Sequence, residues 1–410
     1  MDLVIFAQGL KRCLANTLAC TIACMTDLYI GLMSGTSMDG VDGAVVDFSK
    51  DTPQVTHMSS AQLAPDLRAE LMALNTPGLN ELHRAARAAN ALAHTYAQVV
   101  HALLTASGLT AKDIRAIGAH GQTLRHQPAL RDASGQPDGY TLQLNNPALI
   151  AELTGIEVIA DFRSRDVAAG GQGAPLAPIF HRARFAPRGA ATGNSDTEKA
   201  MGVLNIGGIS NLSILQPDGT TLGFDCGPGN ALLDMWCLEH TGAPYDAGGA
   251  WGAGGVVNTA LLQAMLSEPY FALPPPKSTG RDLFNRAWLG KHLAAFASET
   301  PQNVQKTLIE LTATSIAYCA TSYEKGSRLK IHELIVCGGG AFNAALMQRL
   351  QALMPGALVV SSAQRGLPPQ DVEATAFAWL ARQTVLRQPL PLTSVTGARG
   401  PRVLGCIYPA

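Results

Sequence analysis

Of the 41 glycines in this 410-residue chain, 22 fall in seven short segments. These are Gly31–Gly43, Gly118–Gly121, Gly170–Gly173, Gly207–Gly208, Gly223–Gly229, Gly248–Gly255 and Gly338–Gly340. Glycine reaches backbone conformations and close approaches that a Cβ forbids, so clusters of it mark turns, tight packing or backbone laid against a ligand. The glycines keep no three-residue period, which rules out a collagen-like chain. A hydrophobic share of 47% with a net charge of −1 argues against disorder. Thirty basic against 31 acidic side chains gives no support for a general electrostatic hold on nucleic acid. The length fits two or three domains at roughly 100–200 residues each.

Most of the clusters follow short apolar runs. Leu28–Met33 and Val41–Phe48 read as two strands joined by a hydroxyl-rich tip, Ser34–Gly40. Ile114–Ala119, Thr141–Leu144 and Val158–Phe162 read as further strands. A second hairpin-like set follows at Gly202–Ile206, Leu212–Leu215 and Thr221–Asp225, and later strands are expected at Leu334–Cys337 and Leu358–Val360. Three-to-four spacing of apolar residues predicts helices over Asn80–Ala106, Val304–Glu324 and Val372–Arg387, with shorter ones at Pro147–Leu153, Ala231–Leu238, Asn258–Leu266 and Asn343–Leu353. Pro187–Ala200 is polar and reads as an exposed insertion. Strands mixed with helices, each half opening on a hairpin, indicate an α/β protein of two related lobes.

Five glycine-rich segments carry residues with chemical use. In Gly31–Gly43, backbone amides with Ser34, Thr36 and Ser37 can cradle phosphate, and Asp39 and Asp42 offer a hard cation oxygen ligands. The segment has no Walker A lysine. NIGGISN (Asn205–Asn211), FDCGPGN (Phe224–Asn230) and CGGGAFN (Cys337–Asn343) are each weak signals alone, but together point to a nucleotide site fed from both halves. DFRSRDVAAGGQGAPL (Asp161–Leu176) concentrates charge in a chain with little of it, and suits recognition of an anionic or polyhydroxylated substrate. His120 and Gln122 in GAHGQT lie just past a strand, and His120 with His126 has the wrong spacing for a zinc helix. The cluster Lys277–Arg281 reads either as a solvated loop or as one closing over substrate.

LYIGLMSGTSMDGVDGAVVDF, GAHGQT, DFRSRDVAAGGQGAPL, NIGGISN, GFDCGPGN, PKSTGRDLFN and CGGGAFN, in this order, resemble the anhydro-N-acetylmuramic acid kinase family from about Leu28 to about Pro409. The resemblance implies the two-lobed actin-like ATPase (ribonuclease H-like) fold, each lobe a mixed five-stranded sheet with helices around a central cleft. Lobe I is expected over 26–160 with 386–410, lobe II over 161–385, and 1–25 as an extension. It also implies use of ATP and Mg²⁺ on 1,6-anhydro-N-acetylmuramic acid, giving N-acetylmuramic acid 6-phosphate in the cytoplasm, by a homodimer. By the same resemblance Gly35, Thr36, Ser37, Met38, Asp39, Gly40, Val41 and Asp42 form a first phosphate-binding segment. Gly207, Gly208, Ser210 and Asn211 form a second, and Gly338, Gly339, Gly340 and Asn343 an adenosine-side loop. Asp225 matches the general base, and Ser34, His120, Gln122, Arg165 and Asp166 match positions near the sugar. Competing readings are an ordinary sugar kinase of the same fold and a non-metabolic actin-like ATPase.

None of the eight cysteines forms a C-x-x-C pair, so buried thiols in a reducing compartment are expected. Lys11 and Arg12 ahead of CLANTLACTIAC loosely imitate a signal peptide, but the apolar stretch is short and carries Asn16. An upstream start with Met25 as the working first residue is the expectation, because the strand signal begins at Leu28.

Overall fold

The computed structural model describes residues 27–35, 38, 40–50, 52–186, 199–275 and 277–410. The extension over 1–25, most of the insertion read at Pro187–Ala200, and Thr36, Ser37 and Asp39 lie outside the described residues.

Two sheets organise the chain. The first holds β1 (Leu28–Met33), β2 (Gly40–Asp47), β3 (Gln54–Gln62), β4 (Ala116–Ala119) and β7 (Val158–Ala160), in the order β3-β2-β1-β4-β7. The C-terminal strand β13 (Cys406–Tyr408) adds antiparallel to β7, so this sheet has six strands and not the expected five. The second sheet holds β8 (Lys199–Ile206), β9 (Ile209–Leu215), β10 (Thr221–Pro228), β11 (Lys330–Cys337) and β12 (Leu358–Ser361), in the order β10-β9-β8-β11-β12. Each sheet is an antiparallel meander of three strands whose first member pairs parallel with the fourth. The two lobes thus repeat one topology that no residue repeat announces. A small antiparallel pair, β5 (Gln122–Gln127) and β6 (Tyr140–Leu144), stands apart.

β1 and β4 are buried on both faces, as expected of central strands flanked by helices. On one side of the first sheet runs the helix Glu81–Ser107, ended by Gly108 in the left-handed conformation. On the other lies the helix Val372–Val385, packed on β1, β4 and β2. A Cβ at Gly31 would stand 1.8 Å from the Ala374 carbonyl oxygen, and one at Gly118 would stand 2.1 Å from that of Phe377. These two glycines sit side by side on β1 and β4. Their bare backbones, with Ala374, Ala378 and Ala381 facing them, let this helix lie directly on the sheet. The division by sequence assigns the helix to lobe II, whereas it packs on the lobe I sheet.

The same helix also touches the second lobe. Val372 and Ala376 join Phe180 and Phe185 of the helix Ala177–Phe185 in a core with Met201, Val203, Ile335 and Val360. The largest core wraps the helix Pro301–Ser327 against β8–β11. Cys226, Cys237, Cys319 and Cys337 are free and buried as expected, while Cys406 is exposed. No helix among the described residues is long and apolar enough to cross a membrane.

Candidate functional site

The carboxyl ends of the parallel strands collect the motif residues, as is usual for ligand sites in open α/β sheets. In the first lobe β1 delivers Ser34, β4 delivers His120, and β7 runs into Arg163. Ser34 and Gln122 are both buried, and the Ser34 hydroxyl donates to Gln122 Oε1 at 2.5 Å. Next to them the His120 ring is buried and leans on Phe377, centroids 4.7 Å apart. Its Nε2 accepts from Arg163 Nε at 3.1 Å and faces Arg163 Nη2 at 2.9 Å, which leaves the ring proton on Nδ1. Burial, with the Arg163 charge beside it, pushes the His120 pKa down to about 3. His120 is therefore a neutral acceptor that aims Arg163, and Arg163 Nη1 is tied to the Gly173 carbonyl at 2.8 Å.

Arg165 and Asp166, the two residues expected at the sugar from the same motif, do not join this cluster. Arg165 is exposed on the outer side of the helix Ser164–Ala168, beside Arg399 and Arg402. Asp166 is fully buried, accepting from the Gly173 amide at 2.6 Å and from the Thr396 hydroxyl at 2.7 Å. Its bonds hold the loop to the C-terminal segment. Arg163 is the member of DFRSRD that reaches His120. The sequence signal for it was the same charge cluster, but one strand end and a five-residue helix decide which arginine turns inward.

In the second lobe Gly207 and Gly208 form the β8–β9 turn. Their carbonyls accept the amides of Asn230 (2.7 Å), Gly229 (2.9 Å) and Ala231 (3.1 Å), so the turn is clamped to the start of the helix Asn230–Thr241. Ser210 donates to the Gly227 carbonyl at 3.1 Å. Gly338 has φ 76° and abuts Asn205 and Ile206, at the carboxyl end of β11 beside that of β8. Asn343 caps the helix Ala344–Leu353 by accepting from the Leu346 amide at 3.0 Å. Gly249 lies against the Asn343 side chain, and Gly252, Gly254 and Gly255 lie against the helix Pro301–Ser327. The segment Gly248–Gly255 thus backs the loop Gly338–Asn343.

Asp225 pairs across the sheet with Asn211, and Asn211 pairs with Asn205. Directly opposed residues share a face, so these three side chains form a polar row. Asn205 Nδ2 then donates to Glu373 Oε1 at 3.4 Å. Asp225 is half-buried, and burial pushes its carboxyl up to about 6. The Thr279 amide, donating to Oδ2 at 3.0 Å, and the Lys277 ammonium pull the other way. Lys277 is itself buried, its Nζ 3.3 Å and 3.4 Å from the carbonyls of Phe271 and Tyr270 and 4.7 Å from the centre of the Tyr270 ring. The cluster Lys277–Arg281 therefore packs on the base candidate and is not a freely solvated loop. Tyr270 donates its hydroxyl to the Asp225 carbonyl at 2.8 Å.

Between the lobes lies a group of acids. Burial and the charge of Asp42 raise the Asp371 carboxyl to about 6, and the same two causes raise Glu373. The segment before the helix Val372–Val385 also bridges the lobes, since the Gly338 amide donates to the Pro369 carbonyl at 3.0 Å. Arg163 and Lys277 lie in segments the sequence marks without assigning either residue a role, whereas Asp371 and Glu373 carry no glycine-rich signature and no sequence signal points to them.

The family model for anhydro-N-acetylmuramic acid kinase matches residues 27–410. The chain belongs to that family. A relative so named from Albidiferax ferrireducens is 56% identical over 406 residues, covering 94% of this chain and all of its own. One from Variovorax paradoxus is 56% identical over 389 residues, covering 94% of this chain and 99% of its own. A third, from Cupriavidus pinatubonensis, is 54% identical over 93% of this chain and 98% of its own. The match runs from the first described strand to the last.

Proposed function

We propose that this protein is an ATP-dependent kinase that hydrolytically opens 1,6-anhydro-N-acetylmuramic acid and phosphorylates it to N-acetylmuramic acid 6-phosphate, in peptidoglycan recycling. Kinase activity comes with the family. The observation that carries the rest is Asp225: a half-buried carboxyl raised to about 6, on a polar row leading from the Gly207–Gly208 turn side to the lobe junction.

In this reading Asp225 takes a proton from water as its oxygen attacks the anomeric carbon. The bond from that carbon to the six-position oxygen breaks, and that oxygen takes the electron pair and attacks the γ-phosphorus of ATP. The bridge to the β-phosphate breaks and ADP leaves. Phosphoryl transfer of this kind needs positioning and charge neutralisation more than covalent help. The segments Gly35–Asp42 and Gly207–Asn211 are assigned to the phosphates, and Gly338–Asn343, backed by Gly248–Gly255, to adenosine. Ser34, His120 and Gln122 are assigned to the sugar side, with Arg163 there in place of Arg165.

Mg²⁺ fits the acids at the junction: Asp42 raises both Asp371 and Glu373, an excess of negative charge that a cation relieves. Among the described residues no three His, Cys, Asp or Glu side chains stand close enough to hold a metal alone. Asp42 (with Asp39) would share it with ATP phosphates and water, as Mg²⁺ usually is shared. When bound, the ion neutralises charge on the phosphates. A homodimer in the cytoplasm, lobe I over 26–160 with 386–410 and lobe II over 161–385 complete the reading, with the helix Val372–Val385 reassigned to lobe I.

Mass spectrometry of the product tests it. Incubation with ATP, Mg²⁺ and the anhydro-sugar should give a mass gain of one phosphoryl group plus one water. Gain of a phosphoryl group alone would make this an ordinary sugar kinase, and ATP hydrolysis with unchanged sugar would point to an actin-like ATPase.

A further inference from the structure

Arg165, left out of the cleft, has company. With Ala168, Ala169, Arg399 and Arg402 it lines a pocket of about 200 Å³. Arg399 is drawn there by the backbone: its amide donates to the Ala169 carbonyl at 2.9 Å and its Nη2 to the Ala168 carbonyl at 3.3 Å. Gly170, at φ 85°, leaves the space for it, since a Cβ there would stand 2.8 Å from Arg399 Nη1. Arg402 is held by the backbone pairing of its own residue with Leu390, and its Nη1 donates to the Pro401 carbonyl at 2.8 Å.

None of the three guanidinium groups has an acid partner among the described residues. Arg84, Arg115, Arg125, Arg286, Arg349, Arg365 and Arg382 each pair with Asp or Glu, and these three do not. What sets these three apart is that they line one small pocket, in a chain where charged side chains are only 15%. Three guanidinium groups lining one opening suit an anion, and the planar fork of arginine matches the oxygens of phosphate. Drug-sized ligands occupy roughly 300–1,000 Å³. The smaller volume here suits a phosphate group and not a whole nucleotide.

We propose that this pocket is a second anion site, separate from the cleft, that takes a dianionic phosphate group, either free or as the head of a phosphate ester. Arg165 lies two residues beyond Arg163, on the short helix whose Asp166 bonds the C-terminal segment at Thr396. A bound phosphate therefore joins the Arg399–Arg402 segment to the same short helix. The site requires no assumption about which sugar the cleft takes.

Calorimetric titration at constant ionic strength tests the site, with a non-hydrolysable ATP analogue saturating the cleft. Inorganic phosphate and glucose 6-phosphate are the two probes, on the wild type and on the double variant R399A/R402A. Saturable binding to the wild type that weakens at least about tenfold in the double variant is expected, since charge-assisted hydrogen bonds are lost. Tighter binding of the ester would assign the site to phosphate esters, and binding of inorganic phosphate alone would assign it to the free ion. R399K/R402K keeps the charge without the fork and should bind with intermediate affinity. Melting temperature without phosphate should match the wild type in both variants, which separates lost binding from lost folding. Absence of saturable binding to the wild type, or equal binding by R399A/R402A, would overturn the proposal.

Discussion

Asp225, the proposed general base, concentrates the proposed chemistry at the scale of single residues. A base must be deprotonated to act, so activity should rise with pH through about 6 and level off above it. Lys277 lowers that value through its charge, so Lys277→Met should move the acid limb of kcat/KM to higher pH, read from a pH–rate profile. Asp225→Asn should retain ATP binding and lose about 10²–10⁴ in turnover. The same substitution has a stability consequence of opposite sign. A carboxyl raised in the folded state above its unfolded value favours folding below about pH 4 relative to higher pH, and that advantage is lost as pH rises through about 6. Above pH 6 the ionised carboxylate strains the native state by about 3 kcal/mol at most. Asp225→Asn should therefore melt higher than the wild type at pH 8 and equal to it near pH 3.5, measured by calorimetry. A site residue of this kind trades stability for reactivity.

Glycine has two roles at the scale of elements. Gly207–Gly208 and Gly338 form turns at strand ends, as their sequence positions suggest. Gly31 and Gly118 belong to the same clusters by sequence, but they serve packing: they seat the helix Val372–Val385 on β1 and β4. Gly118→Ala should destabilise the fold by about 3 kcal/mol or more, at or beyond the top of the usual overpacking range, because the clash is with backbone and no side chain can rotate away. Denaturant titration measures this. Long periodic helices were legible: the expected Asn80–Ala106 appears as Glu81–Ser107, and Val304–Glu324 as Pro301–Ser327. β3 was not, because QVTHMSSAQ alternates between exposed and half-buried with no fully buried residue, so it carries no apolar signal. The helices Ser164–Ala168 and Ala177–Phe185 were missed because they are short and start within a glycine-rich, proline-containing loop.

Two sheets of one topology share a helix and a core at the scale of the whole molecule. Ligands placed between such lobes favour closure, which excludes stray water from ATP. Small-angle scattering should show a smaller radius of gyration with a non-hydrolysable ATP analogue than without, and unchanged dimensions would count against large closure. The shared core around Val372, Ala376 and Phe180 makes closure a rotation about packed elements and not a swing on a free linker.

The sequence by itself determined most turns, most strands, the long helices and which motifs recur in one family, because those depend on local backbone freedom and apolar spacing. Which arginine of DFRSRD reaches His120, how Lys277 comes to sit beside Asp225, and why Asp371 and Glu373 are raised were decided only by the tertiary structure. Residues 52 positions apart, as Asp225 and Lys277 are, meet only when β10 and its neighbouring loop pack together. Burial and charge then act through space, where no spacing along the chain records them.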